Sequence, residues 1–183
     1  MRITTAQNDL QSVLFTPEQL QARIQAIAAE LKRDYGDKLP TLVCILKGAS
    51  FFFVDLCKAL DFHIHIDFVS VSSYGAASAS TGVVRIIKDL DTPITGRDVL
   101  IVEDIIDSGL TLQHLITLLS ARNPASIKTV CLLDKQARRR CDINADYCCF
   151  QIPDEFVVGY GLDYAEYYRN LPYVGILKPE VYL

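Results

Sequence analysis

In the stretch VLIVEDIIDSGLT, Val99–Thr111, the carboxylates Glu103, Asp104 and Asp107 lead into Ser108, Gly109, Leu110 and Thr111. Adjacent carboxylates can hold neighbouring hydroxyls or a hard divalent cation. A third carboxylate, three residues on, can move a proton. Ser108-Gly109 allows a tight turn with amide hydrogens free at a helix N-terminus, a phosphate-binding geometry. Lys47-Gly48-Ala49-Ser50 sets a cation beside another glycine turn and suits an anion. Lys135, after Leu132-Leu133-Asp134, offers an ammonium, which only donates hydrogen bonds. Singly, each is an acidic surface turn or a solvated lysine. A hydroxyl or metal holder, an acid or base and an anion cradle in one strand-loop-helix stretch point instead to a site.

The flanking elements must present these groups along one edge. Val99 to Val102 is a short apolar run, as in a strand buried on both faces of a parallel sheet. Thr41 to Leu46 and Ile127 to Leu133 are of the same kind, and each ends at a candidate residue. In open α/β sheets the cleft lies beyond the carboxyl ends of the strands. Thr16-Pro17-Glu18-Gln19 opens a helix with a capping box. Leu20, Ile24, Ile27, Leu31 and Tyr35 then recur at helical spacing, and Gly36 stops it. Further helices are expected around Phe51–Leu60 and from Leu112 to Leu119, the latter ended by Asn123-Pro124. His63 to Ser73 alternates, with His63 and His65 on its polar phase as exposed strand residues. Val83 to Ile87, Asp146 to Ile152 and Tyr173 to Leu177 read as strands. Tyr74 to Gly82 is small, polar and poorly able to pack. Arg138-Arg139-Arg140 reads as a solvated loop. Core packing is the plain reading of Phe156 and Tyr160.

The totals narrow the classes. A length of 183 residues suits one domain, or one domain with a small appendage. Half the residues are hydrophobic and 22% charged, as in a soluble globular protein. A net charge of −4 argues against general nucleic-acid affinity, so any polyanion must meet local cations, amides or a metal. No apolar run approaches a membrane span and no secretory signal is visible, which places the chain in the cytoplasm. The six cysteines are then expected to be reduced, and no CxxC pair suggests zinc.

VEDIIDSGLT resembles the phosphoribosyl-diphosphate signature of the type I phosphoribosyltransferases, in wording nearest to their 6-oxopurine branch. The resemblance runs along nearly the whole chain. LKGA, Leu46–Ala49, is similar to the family's pyrophosphate loop, with Ala49 departing mildly, and implies that the Leu46-Lys47 peptide can be cis. Ser73-Tyr74-Gly75 and Ser80-Thr81 resemble the ends of the catalytic lid. LLDK matches the family's LLxK, which implies that Lys135 donates to the exocyclic oxygen of a 6-oxopurine. PDEFVVGYGLDY resembles the purine hood, with Phe156 stacking on the base, the Val157 backbone reading its edge, and Asp163 a metal ligand beside the base. Arg169 in YYRNLP matches a pyrophosphate-binding arginine.

The resemblance therefore implies an α/β fold in one domain: a mostly parallel twisted sheet flanked by helices, a core of about 38–150, with a small hood from about 1–15 and 151–183. The implied reaction joins a 6-oxopurine, hypoxanthine or guanine, to 5-phosphoribosyl 1-diphosphate, with Mg²⁺ at Glu103, Asp104 and Asp163. Glu103 and Asp104 would hold ribose hydroxyls, and Asp107, Ser108, Gly109, Leu110 and Thr111 the 5′-phosphate. Lys47, Gly48 and Arg169 would receive pyrophosphate, and Asp107 would act as acid or base at the imidazole nitrogen. Family members resembling this chain are dimers or tetramers, so a homo-oligomer is expected. Two alternatives are a transferase for xanthine or adenine, and a non-catalytic phosphoribosyl-diphosphate sensor that binds nucleic acid. Against the sensor stand Asp107, Lys135, Asp163 and Arg169 together, the acidic balance, and no added DNA-binding module.

Overall fold

The computed structural model describes residues 6–73 and 84–182. The apolar runs form the inner strands of a six-stranded sheet: β2 (Thr41–Leu46), β3 (His65–Ser73), β4 (Val84–Lys88), β5 (Asp98–Ile106), β6 (Ser126–Asp134) and β7 (Tyr147–Gln151). Their order is β4-β3-β2-β5-β6-β7. β3, β2, β5, β6 and β7 run parallel, and β4 closes one edge antiparallel. Helices α1 (Pro17–Tyr35) and α2 (Ser50–Ala59) cover one face, and α3 (Leu110–Ser120) covers the other. Each face thus buries a separate apolar layer, which accounts for strands that are apolar throughout.

Local signals set the element ends. The Thr16 amide donates to Gln19 Oε1 at 2.9 Å and the Gln19 amide to Thr16 Oγ1 at 3.4 Å, so the capping box forms. Leu20, Ile24, Ile27, Leu31 and Tyr35 are all buried under it. Two expectations need correction. β5 does not end at Val102 but continues through both carboxylates, because its backbone goes on pairing with β6: Glu103 lies opposite Cys131 and Ile106 opposite Asp134. In β3 the alternation inverts locally, since Ile66 is exposed and Asp67 is buried. Asp67 accepts the amides of Phe68 at 2.7 Å, Asp91 at 3.0 Å and Thr92 at 3.2 Å, so a turn beyond β4 is tied to it.

The hood is a second sheet of three antiparallel strands, ordered β1 (Leu10–Phe15), β9 (Val174–Leu177), β8 (Val157–Val158). Its own small core holds Leu10, Val158, Leu171 and Leu177. Phe156 stacks on Tyr182, in the last short helix α4 (Pro179–Tyr182), with ring centroids 4.7 Å apart. The hood stands over the carboxyl ends of β2, β5 and β6.

Candidate active site

Three strand ends and the hood turn meet at one cleft. A cavity of about 240 Å³ is lined by Asp104, Asp107, Lys135, Phe156, Val157 and Asp163 among others. Carboxylates from β5, the lysine after β6 and the hood aromatic thus share one space, as their sequence positions predicted. Lys135 is 5% exposed and donates to the Glu155 carbonyl at 2.8 Å, leaving further donors for a guest. Burial holds its ammonium below the ordinary lysine range, against the pull of nearby Asp107. Tyr182 does not line this cavity, so it backs Phe156 and leaves the aromatic to the cavity.

Asp107 carries the sharpest signal. Its Oδ1 is buried and has no hydrogen-bond partner among the described residues. A buried carboxylate oxygen left unpaired is costly unless something else is meant to meet it. Nor does Asp107 cap the following helix: the cap position of α3 belongs to Gly109, at φ 81°, with no side chain bonded there. That left-handed backbone favours glycine, and a Cβ there would lie 2.5 Å from Ile143 Cγ2.

Glu103 is buried and Asp104 half-buried, and the carboxyl of each is pushed up from its ordinary value, that of Glu103 the further. Desolvation is the main cause in each, and the Asp104 charge adds to it for Glu103. They face different spaces. Asp104 lines the main cavity, whereas Glu103 lines a smaller hollow with Asp107, Ser108, Gly109 and Thr111. A Cβ on Gly48 would lie 1.6 Å from Asp104 Oδ2, so the β2–α2 loop comes close only because residue 48 is glycine. The Leu46-Lys47 peptide beside it is cis.

Lys47 and Arg169 are joined by an acid that sequence reasoning missed. Glu166 Oε2 lies 2.8 Å from Lys47 Nζ, and its Oε1 lies 3.5 Å from Arg169 Nη2. Arg169 Nη2 also meets Asp163 Oδ1 at 2.8 Å. The spacing Asp163, Glu166, Arg169 in DYAEYYR was the available signal. Arg169 Nη1 donates to the Gly161 carbonyl at 2.8 Å, and a Cβ on Gly161 would lie 2.0 Å from the Gly48 carbonyl. Tyr74 and the rest of the expected lid fall outside the described residues, and Ser73 ends β3.

A model of the phosphoribosyl transferase domain matches residues 14–165. The chain belongs to the phosphoribosyltransferase family. It is 54% identical over 175 residues to the hypoxanthine-guanine phosphoribosyltransferase of Bacillus subtilis, covering 96% of this chain and 97% of that one. It is 49% identical over 176 residues to the enzyme of that name from Streptococcus thermophilus, covering 96% and 98%. Among solved structures, a hypoxanthine phosphoribosyltransferase from Staphylococcus aureus superposes with a TM-score of 0.95 at 51% identity, covering all of both chains.

In this phosphoribosyltransferase the three arginines after β6 are not all a solvated loop. Arg138 pairs with Asp154 at 2.5 Å and lines the main cavity. Arg139 pairs with the buried Asp134 and donates to the Asp107 carbonyl at 3.2 Å. Among the described residues no three His, Cys, Asp or Glu side chains converge into a metal cage. Asp104 and Asp163 do share the main cavity, which suits a hard cation held by few carboxylates together with substrate oxygens.

Proposed function

We propose that this phosphoribosyltransferase makes purine nucleoside 5′-monophosphates for salvage, from hypoxanthine, and guanine, with 5-phosphoribosyl 1-diphosphate. The observation that carries this is the unpartnered Asp107 Oδ1, buried in a cavity shared with Lys135 and Phe156. A purine stacked on Phe156 sets its exocyclic oxygen to the Lys135 ammonium and its imidazole edge to Asp107. As N9 bonds to the ribose carbon, the pyrophosphate oxygen leaves with the bonding pair, and Asp107 takes the imidazole proton. Carboxylates beneath the sugar favour the positive charge that develops on it. Asp104, with Glu103 behind it, is the group for the ribose hydroxyls, and loop 107–111 is the group for the 5′-phosphate. Lys47 and Arg169 exchange their Glu166 and Asp163 partners for the diphosphate oxygens. Asp104 and Asp163, with Glu103, would hold Mg²⁺, which would neutralise the charge of the leaving diphosphate.

Phe51 and Val54 on α2, with Ile66 and Ile87 on the sheet edge, are exposed apolar residues that suit a homo-oligomer contact. All six cysteines are free, which agrees with a reducing cytoplasm. Among the described residues no helix is long and apolar enough to cross a membrane. The test is turnover of hypoxanthine, guanine, xanthine and adenine with phosphoribosyl diphosphate and Mg²⁺. The 6-oxopurines hypoxanthine and guanine should yield nucleotide and diphosphate in equal amounts. Turnover of adenine or xanthine alone would overturn the base assignment, and no turnover of any base would favour a sensor.

A further inference from the structure

We infer that Arg139 is a positioning residue that sets the peptide planes of the phosphate loop. It rests on the reading that loop 107–111 receives the 5′-phosphate. The segment after β6 grips the outside of this loop at two successive carbonyls. Arg139 Nη1 donates to the Asp107 carbonyl at 3.2 Å, and the Arg140 amide donates to the Ser108 carbonyl at 2.9 Å. The Cys141 thiol reaches the same Ser108 carbonyl at 3.5 Å.

A trans peptide is planar, with its C=O and N–H pointing opposite ways. Holding the carbonyls of residues 107 and 108 toward segment 139–141 therefore turns the amides of Ser108 and Gly109 away from it. Neither amide has a hydrogen-bond partner among the described residues. Two adjacent free N–H groups at the start of α3 make the anion-binding face of the cradle. Segment 139–143 also walls in the back of Gly109, where a Cβ would meet Ile143, Cys141 and Arg139 Cδ at 2.5, 2.9 and 3.2 Å.

Arg139 is itself fixed. Its other nitrogen, Nη2, pairs with Asp134, which is 4% exposed at the end of β6, and the Arg139 side chain is 14% exposed. Asp134 also accepts from Gln136 Nε2 at 3.3 Å. The planar guanidinium thus spans from the strand end that carries Lys135 to the loop that carries Asp107. A lysine could keep the ion pair but not the two-pronged reach. Arg139 touches no reacting atom, so its effect runs through the orientation of the amides.

The experiment compares inosine 5′-monophosphate with inosine by calorimetry, on wild type, Arg139→Lys, Arg139→Gln and Thr111→Val. The two probes differ only in the phosphate, so the ratio of their affinities reads the cradle and not overall folding. Arg139→Lys and Arg139→Gln should each lower that ratio by about tenfold, the scale of losing well-aimed hydrogen bonds to a charged group. Thr111→Val, which removes a cradle hydroxyl directly, should also lower it. If Thr111→Val lowers the ratio while both Arg139 variants leave it unchanged, the inference is wrong and the cradle reading stands. If none of the three changes it, both are wrong. Should Arg139→Gln not fold, Arg139→Lys alone decides, because it keeps the charge opposite Asp134.

Discussion

Replacing Lys135 by methionine keeps an unbranched stem in the cavity wall and removes the ammonium. In the folded protein that ammonium is buried, and its protein hydrogen bond goes to the Glu155 carbonyl at 2.8 Å. A base oxygen would therefore meet a charged donor with little water to compete. A hydrogen bond to a charged group is worth roughly 1.5–3 kcal/mol, so kcat/KM for hypoxanthine should fall by about 10- to 150-fold. The KM for phosphoribosyl diphosphate should move by less than about twofold, because Lys135 does not share its contacts with Lys47 or Arg169. The stability change should be small, since two effects oppose. The Glu155 carbonyl loses its partner, at a cost of about 1–3 kcal/mol. Yet the folded pKa is depressed, so stability tied to this group is present above the ordinary lysine range and lost as pH falls through the lowered value. At neutral pH the buried charge is thus a cost that methionine removes. The same shift predicts an alkaline decline in wild-type kcat/KM for hypoxanthine, beginning below the usual lysine range and absent from the variant. Initial-rate kinetics with each substrate varied in turn, across alkaline pH, with thermal melts, make the measurement. Unchanged hypoxanthine kinetics, or an equal loss for both substrates, would refute base recognition by Lys135.

Asp107→Asn should lower kcat by roughly 10²–10⁴-fold with little change in melting temperature or phosphoribosyl-diphosphate KM, because Gly109 and not Asp107 occupies the cap of α3. Near-normal turnover would remove Asp107 from proton transfer. Glu166→Gln should do the opposite of harm: with Lys47 released from its carboxylate and Arg169 left with Asp163 alone, diphosphate should inhibit at a concentration lower by a few-fold, the modest scale of exposed ion pairs. Weaker or unchanged inhibition would mean that those cations do not receive diphosphate. Asp67→Asn should destabilise the fold by about 1.5–3 kcal/mol at neutral pH, read by urea melts. Burial pushes the Asp67 carboxyl up, but the amides of Phe68, Asp91 and Thr92 outweigh that and hold it low. Its stability is present above the ordinary carboxylate range and lost as pH falls through the lowered value, so the gap between wild type and variant should narrow as pH falls below the ordinary aspartate range. A gap that stays constant would show that the carboxylate charge is not what the turn depends on.

The inner strands and the motif loops were legible because each is a local statement. TLVCIL, VLIV and IKTVCLL are buried on both faces and read so without context, and the capping box at Thr16 is written in four residues. What escaped depends on partners far along the chain. Leu10–Phe15 becomes a strand because Val174–Leu177 lies beside it, a pairing that no local pattern encodes. Glu103 and Asp104 look like the end of a strand by side-chain type, but the ladder to β6 is made by backbone and ignores that. Asp67 breaks the alternation because three donors from a later turn, the Asp91 amide and the Thr92 amide and hydroxyl, satisfy it together with the Phe68 amide. Among three consecutive arginines, sequence alone could not rank Arg139 as the half-enclosed one, since the choice rests on the reach to Asp134 and the Asp107 carbonyl.

The stack of Asp104, Gly48 and Gly161 bears on how such a protein could be rebuilt from parts. A side chain at residue 48 would strike the carboxylate of β5, and one at residue 161 would strike the backbone of residue 48. The hood turn therefore seats directly on the β2–α2 loop, main chain against main chain, with Arg169 and Gly161 bonded to each other from the hood side. Grafting a foreign hood to change base preference would have to import this seam along with the residues that face the base. Chimaeras joined between β7 and residue 157, and keeping 157–177 with the original β2–α2 loop, would exchange the Pro153–Phe156 approach without disturbing it. Crossovers placed between residues 159 and 169 would split the seam, so library diversity belongs upstream of it.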